Sequence, residues 1–309
     1  MTISENIKRG VIELKKSNIE SPNLKSRLLM QYVLGKTRQY IIVHDMDEMK
    51  KNEEENFNNA INELKSGVPI EHITHKKEFM KLNFYVDENV LIPRQDTEIV
   101  VEEIIKISKK YSFLNKKENY KSQKLGQIEK IFEKTNLSLC NANILDLCTG
   151  SGAIAVSLAK YLPGVKIVAS DISENALKIA KENAVNNGVQ DQIVFIESDL
   201  FENINDKKFD IIVSNPPYIK KNVIDKLDEQ VKKEPIIALD GGEDGLEFYR
   251  KIINDAYLFL NKDGYLCFEI GYDQKNDVIK LLKNENKYKE IYCKKDLGGN
   301  DRVIVAKVN

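Results

Sequence analysis

Residues 143–171 read NILDLCTGSGAIAVSLAKYLPGVKIVASD. An apolar, β-branched run reaches Asp146 and opens into Cys148-Thr149-Gly150-Ser151-Gly152. A helical pattern over 152–161 follows, and a second apolar run, VKIVAS, ends at Asp171. Strand, glycine-rich turn, helix and strand in that order make a βαβ unit, in which a crossover helix joins two parallel strands. Glycine in the turn lets a ligand approach the backbone, because no Cβ stands in the way. Only G-x-G is present, without the further glycine of the dinucleotide fingerprint, so a pyrophosphate cradle is not indicated. A tight βα turn that binds nothing would use the same glycines.

The alternation continues downstream. IVFIES (193–198), FDIIVS (209–214) and GYLCFEI (264–270) are further apolar runs, and helical patterns occupy 173–186 and 245–260. Strands that are apolar at nearly every position, rather than at every second one, are buried on both faces. The expectation is therefore an α/β domain with a parallel sheet sandwiched between helices. A strand over 289–294, the turn-rich DLGGND and a last strand, RVIVAKV (302–308), predict an antiparallel hairpin at the sheet edge.

Upstream the period changes. Residues 1–75 are helical: Ile7, Val11, Ile12 and Leu14 form one apolar face, and Leu28, Leu29, Tyr32, Val33 and Leu34 form a second that stops at Gly35. Phe57, Ala60, Ile61 and Leu64 repeat the spacing before Gly67. From Phe79 to about Val90 short alternating segments predict a β-hairpin. The chain thus divides into a small helical domain (1–75), a hairpin linker (76–95) and a large α/β domain (96–309). Residues 106–134 hold nine Lys against three Glu and predict a solvated helix end and loop, with a nucleic-acid contact as the alternative.

Composition narrows the function classes. The 309 residues are 42% hydrophobic and 31% charged, with a net charge of −1, as in a soluble globular protein. Near-neutral charge argues against a protein built mainly to hold a nucleic-acid backbone. Cys140, Cys148, Cys267 and Cys293 are scattered, with no pair or histidine grouping that would hold a metal, so no metal and a reducing cytoplasm are expected. The polar start, MTISENIKRG, lacks the apolar core of a signal peptide, and no run is long enough to span a bilayer.

Three strand ends carry the chemistry. Asp171, 21 residues after Gly150, stands where a carboxylate accepts from both ribose hydroxyls of a bound nucleoside; it would equally cap the helix that starts near Ser173. Asp199, before Leu200 at the end of the third strand, suits an adenine amino group. The fourth strand delivers Asn215-Pro216-Pro217-Tyr218. Two prolines stiffen the chain at a strand end and remove two N–H donors, so the Asn215 amide and neighbouring carbonyls present acceptors. Such acceptors suit a planar NH2 group, whose delocalised lone pair makes it a poor nucleophile that must be aimed at its electrophile. Tyr218 would pack against that planar group.

DLCTGSG, VASD, ESDL and SNPPY resemble, in order and spacing, the Rossmann-like methyltransferases that modify planar nitrogens with S-adenosylmethionine. Leu91-Ile92-Pro93-Arg94-Gln95-Asp96-Thr97-Glu98 is similar to the LIPR-x-DTE element of the release factor glutamine methyltransferases, the HemK or PrmC family. The stretch from Gly67 to Phe79, the segment 234–246, EIGYDQ (269–274) and GGNDRVIVAK resemble the same family, so the likeness spans nearly the whole chain. Gln95 replaces the family's usual proline, Lys81 a common glycine, and Cys148 a frequent glycine of the cofactor loop.

The resemblance implies a class I methyltransferase fold: a seven-stranded, mostly parallel sheet preceded by a small helical domain. It implies S-adenosyl-L-methionine as cofactor, held by Cys148, Thr149, Gly150, Ser151, Gly152, Asp171, Asp199, Leu200 and Asn215. Asn215, Pro216, Pro217 and Tyr218 would bind substrate, with Asn215, Pro216 and Tyr218 as the catalytic set. The implied substrate is the glutamine of the Gly-Gly-Gln motif of class I release factors, gripped by the helical domain. Arg94 and Glu98 would shape the interdomain cleft or form a structural ion pair. A monomer with no membrane or direct nucleic-acid role is expected. The competing readings are a glutamine methyltransferase acting on a ribosomal protein, a base methyltransferase acting on a flipped RNA or DNA base, and a binding protein that has lost catalysis.

Overall fold

The computed structural model describes residues 1–119, 141–205 and 208–309, with side chains omitted over 110–119. Its chain separates into two units. One comprises Met1–Lys76 with Val86–Glu88 and Leu227–Glu234; the other comprises Lys77–Tyr85, Asn89–Lys226 and Pro235–Asn309.

The first unit is helical: α1 (Ile3–Lys16), α2 (Pro22–Leu34), α3 (Arg38–Val43), α4 (Lys51–Lys65) and α5 (Ile70–Thr74). A capping box starts α1. Thr2 Oγ1 accepts from Glu5 N at 3.2 Å while Glu5 Oε2 accepts from Thr2 N at 2.8 Å, satisfying two amides that the helix leaves open. Leu14, Leu29, Met30, Phe57, Ile61 and Leu64 form the core. Two details of the expected stripes change. Ile12 is 54% exposed, and Leu28 and Tyr32 lie on the outer side of α2, while Leu29 and Met30 point inward. Leu28 and Tyr32 are one turn apart, so they share a face, but it is not the buried one. That face is set by Ser26, which is buried and donates to Ile7 O at 2.9 Å. A Cβ at Gly10 would stand 2.7 Å from Ser26 Oγ, so α1 and α2 cross closely there.

The second unit begins with a hairpin, β1 (Lys77–Phe79) and β2 (Leu82–Phe84), paired antiparallel. Its two turn residues, Met80 (φ 50) and Lys81 (φ 57), are both left-handed, as a two-residue primed turn requires. Glu98 Oε1 accepts from Met80 N and Met80 O accepts from Tyr161 OH, each at 2.6 Å, which holds the turn despite its cost. Lys81 is exposed and carries the penalty of a side chain at positive φ. Lys81→Gly should raise stability by about 1 kcal/mol, read from the urea midpoint at constant slope; an unchanged or lower midpoint would contradict this account of the turn.

Helix α6 (Glu98–Asn119) precedes the sheet, so the first part of the lysine-rich stretch is helix through residue 119 rather than loop. Residues 120–134 of that stretch, and Cys140, lie outside the described residues. The sheet strands are β3 (Asn143–Leu147), β4 (Lys166–Asp171), β5 (Ile193–Glu197), β6 (Phe209–Ser214), β7 (Leu260–Glu269), β8 (Tyr288–Lys295) and β9 (Asp301–Val308). Their order is β5-β4-β3-β6-β7-β9-β8, the seven-stranded, mostly parallel sheet of a class I methyltransferase. Helices α7 (Ala153–Tyr161), α8 (Glu174–Asn186), α9 (Lys221–Ile224), α10 (Glu247–Phe259) and α11 (Lys275–Asn284) complete the unit.

Parallel pairing runs from β5 to β7, and β9 enters antiparallel between β7 and β8. The final hairpin is present, with its second strand inside the sheet and its first at the edge. Every residue of β6 is buried. The order reverses between β3 and β6, and the strand ends on either side of such a switch point open a crevice for ligands.

Candidate functional site

At the end of β3 the chain turns sharply, with Cys148 (φ 59), Gly150 (φ 54) and Gly152 (φ 79) all left-handed. The two glycines serve different needs. A Cβ at Gly150 would meet nothing within 4 Å, so its requirement is conformational and leaves the backbone open; at Gly152 a Cβ would press on Ala180 at 3.1 Å, so that glycine lets α7 and α8 approach. Cys148 occupies a conformation that glycine takes more readily, the backbone counterpart of its departure from the family pattern.

Asp146 holds this turn from below. It is fully buried, and its Oδ2 accepts from Thr149 Oγ1 at 2.7 Å and from Ala155 N at 3.2 Å. Burial pushes its carboxyl up to about 7. Asp171, at the end of β4, faces the turn from the side: Oδ2 accepts from Gly150 N at 2.8 Å and Oδ1 from Ser173 N at 3.0 Å. The helix cap belongs to Ser173, whose side chain accepts from Ala176 N. Burial raises the Asp171 pKa, and the backbone N–H groups of Ser173 and Gly150 oppose the rise.

One cavity, wholly within the second unit, gathers most of the residues singled out in the sequence. Cys148, Thr149, Gly150, Ser151, Asp171, Asp199, Leu200, Asn215 and Pro217 line it, with Arg94, Thr97 and Phe248. Gly152, Pro216 and Tyr218 do not. Pro216 is buried, and the Tyr218 side chain packs against the core that contains Tyr249 and Phe268.

The Asn-Pro-Pro-Tyr corner is clamped through its backbone by segments more than twenty residues away. Gln274 Nε2 donates to Tyr218 O and to Gly245 O, each at 3.0 Å, while its Oε1 accepts from Gly271 N at 2.9 Å. Gly241 N donates to Ile219 O at 2.8 Å. A Cβ at Gly241 would fall 2.7 Å from Tyr218 Cα, and one at Gly245 2.5 Å from Tyr218 O. The two glycines are thus the space the corner needs.

Thr97, Glu269, Gln274 and Arg302 lie inside the family-like motifs, which by themselves assign them no role. Thr97, on the short turn before α6, stands behind Asn215, whose Nδ2 donates to Thr97 Oγ1 at 3.4 Å. The Glu269 carboxylate is buried nearby, where Thr97 and Asn215 both oppose the rise that burial gives its pKa. Arg302 is shared by Asp96 at 3.1 Å and Asp296 at 3.2 Å, which ties β9 to the Asp96-Thr97-Glu98 turn. Their only signal in the sequence was motif resemblance, since no local period marks a residue that acts over such a separation.

The profile of the PrmC N-terminal domain matches residues 5–74, and that of the methyltransferase small domain matches 111–242. A release factor glutamine methyltransferase of Clostridium acetobutylicum is 39% identical over 309 residues, covering 99% of this chain and 98% of its own length. The chain belongs to the release factor glutamine methyltransferase family. A second such enzyme, from Clostridium botulinum, is also 39% identical, with 99% of both chains covered. The solved protein-(glutamine-N5) methyltransferase (release factor-specific) of Alicyclobacillus acidocaldarius is 28% identical; 73% of this chain and 99% of that one align, with a TM-score of 0.38.

S-adenosyl-L-methionine is the methyl donor of this family. The cavity fits it. Each Asp171 oxygen already accepts one backbone N–H and keeps lone pairs for a ribose hydroxyl. Gly150 leaves the backbone open beside it, and Asp199 offers an acceptor in the same cavity. No helix among the described residues is long and apolar enough to cross a membrane.

Proposed function

We propose that this chain methylates the side-chain amide nitrogen of the glutamine in the Gly-Gly-Gln motif of class I peptide chain release factors, giving N(5)-methylglutamine. The observation that carries the reading is the placement of Asn215, on a backbone-clamped corner, in the same cavity as Asp171 and the 148–151 turn. Asp171, Asp199, Leu200 and the turn are the cofactor side; Asn215 is the substrate side, joined on this reading by the carbonyl of Pro216, a residue that does not itself line the cavity, with Pro217 and Tyr218 stiffening the corner.

The donor supplies an electrophilic sulfonium methyl. The protein's own task is to aim a weak nucleophile. Asn215 Oδ1 and the Pro216 carbonyl accept from the two N–H groups of the glutamine, which fixes the plane of its amide and points the lone pair toward the donor. As the nitrogen gains the methyl, positive charge develops on its N–H groups, and acceptors already in place stabilise it more than they stabilised the substrate. The N–C bond forms as the methyl–sulfur bond breaks, leaving S-adenosylhomocysteine as the second product, and the nitrogen then gives up one of its two protons to solvent.

The same reading assigns residues 1–75 to recognition of the release factor, 76–95 to a hairpin linker and 96–309 to methyl transfer, in a cytoplasmic monomer with no nucleic-acid substrate. A net charge of −1 supports a protein substrate over a flipped base. The test is to incubate the enzyme with labelled S-adenosylmethionine and, separately, a release factor, ribosomal protein and rRNA. Label should enter the release factor at its Gly-Gly-Gln glutamine; label entering only ribosomal protein or only RNA would overturn the assignment.

A further inference from the structure

Asn215 serves the proposed reaction in only one orientation of its amide. The oxygen must face the substrate N–H, because a flipped amide sets donor against donor. A carboxamide has nearly the same shape either way round, so packing alone does not choose. The choice is made behind it. Nδ2 donates to Thr97 Oγ1 at 3.4 Å, and the buried Glu269 carboxylate stands where Thr97 and Asn215 both hold its pKa down. An ionised carboxylate can only accept, and a hydroxyl whose single proton is committed to that carboxylate can also only accept. Flipping Asn215 would aim its oxygen at two acceptors, Thr97 and Glu269, both of which are buried.

We infer that Thr97 and Glu269 are positioning residues that lock the Asn215 amide with Nδ2 inward and Oδ1 toward the substrate N–H. This rests on the reading of the corner as the acceptor for a glutamine amide. Glu269 is an expensive way to fill space: it is 1% exposed, and its Oε2 has no hydrogen-bond partner among the described residues. An apolar side chain of the same volume would pack there without that penalty. Burial pushes its carboxyl up to about 7, opposed by Thr97, Arg302 and Asn215 and reinforced by Asp96. Tyr218 and Tyr249 are the other titratable groups that face it. Protonation puts a donor where only acceptors stood, so the lock weakens as pH falls through about 7.

Three variants test the lock. Thr97→Val keeps the shape and removes the hydroxyl; it should lower kcat at least tenfold while donor Kd, by calorimetry, stays within about twofold. Thr97→Ser restores the hydroxyl and should recover kcat to within about threefold of the wild type. Glu269→Gln cannot ionise and should flatten the acid limb of the kcat profile near pH 7. A substrate-free readout separates this inference from the function it rests on. The 15N side-chain resonance of Asn215 should shift with pH near 7 in the wild type and lose that shift in Glu269→Gln, whether or not a release factor is methylated. Thr97→Val turning over within twofold of wild type, Thr97→Ser falling as far as Thr97→Val, or an Asn215 resonance blind to both pH and Glu269→Gln would each overturn it. If Thr97→Val fails to fold, the serine and glutamine variants still decide.

Discussion

Asn215→Ala is expected to lower kcat by roughly 10²- to 10³-fold, the loss found when one preorganised polar partner of a transition state is removed. The substitution deletes the acceptor for one substrate N–H and leaves the corner's backbone intact, since Gln274, Gly241 and Gly245 hold that backbone independently. Glu269 and Thr97 lose one donor between them, at a cost of about 1–2 kcal/mol in stability. Donor affinity should change little, because Asp171 and the 148–151 turn, which carry the proposed donor contacts, are left untouched. Single-turnover kinetics together with calorimetric titration of S-adenosylmethionine check both halves. Turnover within threefold of wild type would remove Asn215 from the chemistry.

Asp171→Ala should act in the opposite sense, on binding rather than on the methyl-transfer step. Its carboxylate accepts from Gly150 N and Ser173 N and, on the proposed reading, also accepts from two ribose hydroxyls. Hydrogen bonds to a charged acceptor are worth about 1.5–3 kcal/mol each, so losing the pair raises the donor Kd by roughly 10²- to 10⁴-fold at about 1.4 kcal/mol per decade. The turn also loses an anchor at Gly150. With saturating donor, kcat should recover most of the way to wild type. A Kd within threefold of wild type would move the ribose contact to another residue.

The local order of the chain was open to reading from the sequence for a physical reason. Strand, turn and helix differ in the spacing of apolar side chains, and that spacing lies within a few residues: NILDL, VKIVAS and FDIIVS are apolar at most positions, on both faces, because both their faces are buried. Glycines at 150 and 152 and the two prolines after Asn215 mark backbone conformations that few other residues adopt. These short-range rules placed Asp171, the 148–151 turn and Asn215 at strand ends, and parallel strands bring their ends to one edge.

Contacts between distant segments obey no such period, and there only the folded chain decided. Thr97 meets Asn215 across 118 positions and Gln274 reaches Tyr218 across 56, so neither leaves a trace in its own neighbourhood. Strand β9 passes between β7 and β8, a choice that an apolar run common to inner and edge strands does not reveal. Ser26 lies in a helical core and Tyr218 turns its ring into the sheet packing, because close approach of elements outweighed the polarity of the one and the motif position of the other. Side-chain identity and spacing decide what each segment can become. Which side chains stand behind Asn215 is settled only when the sheet closes and brings them within hydrogen-bond reach.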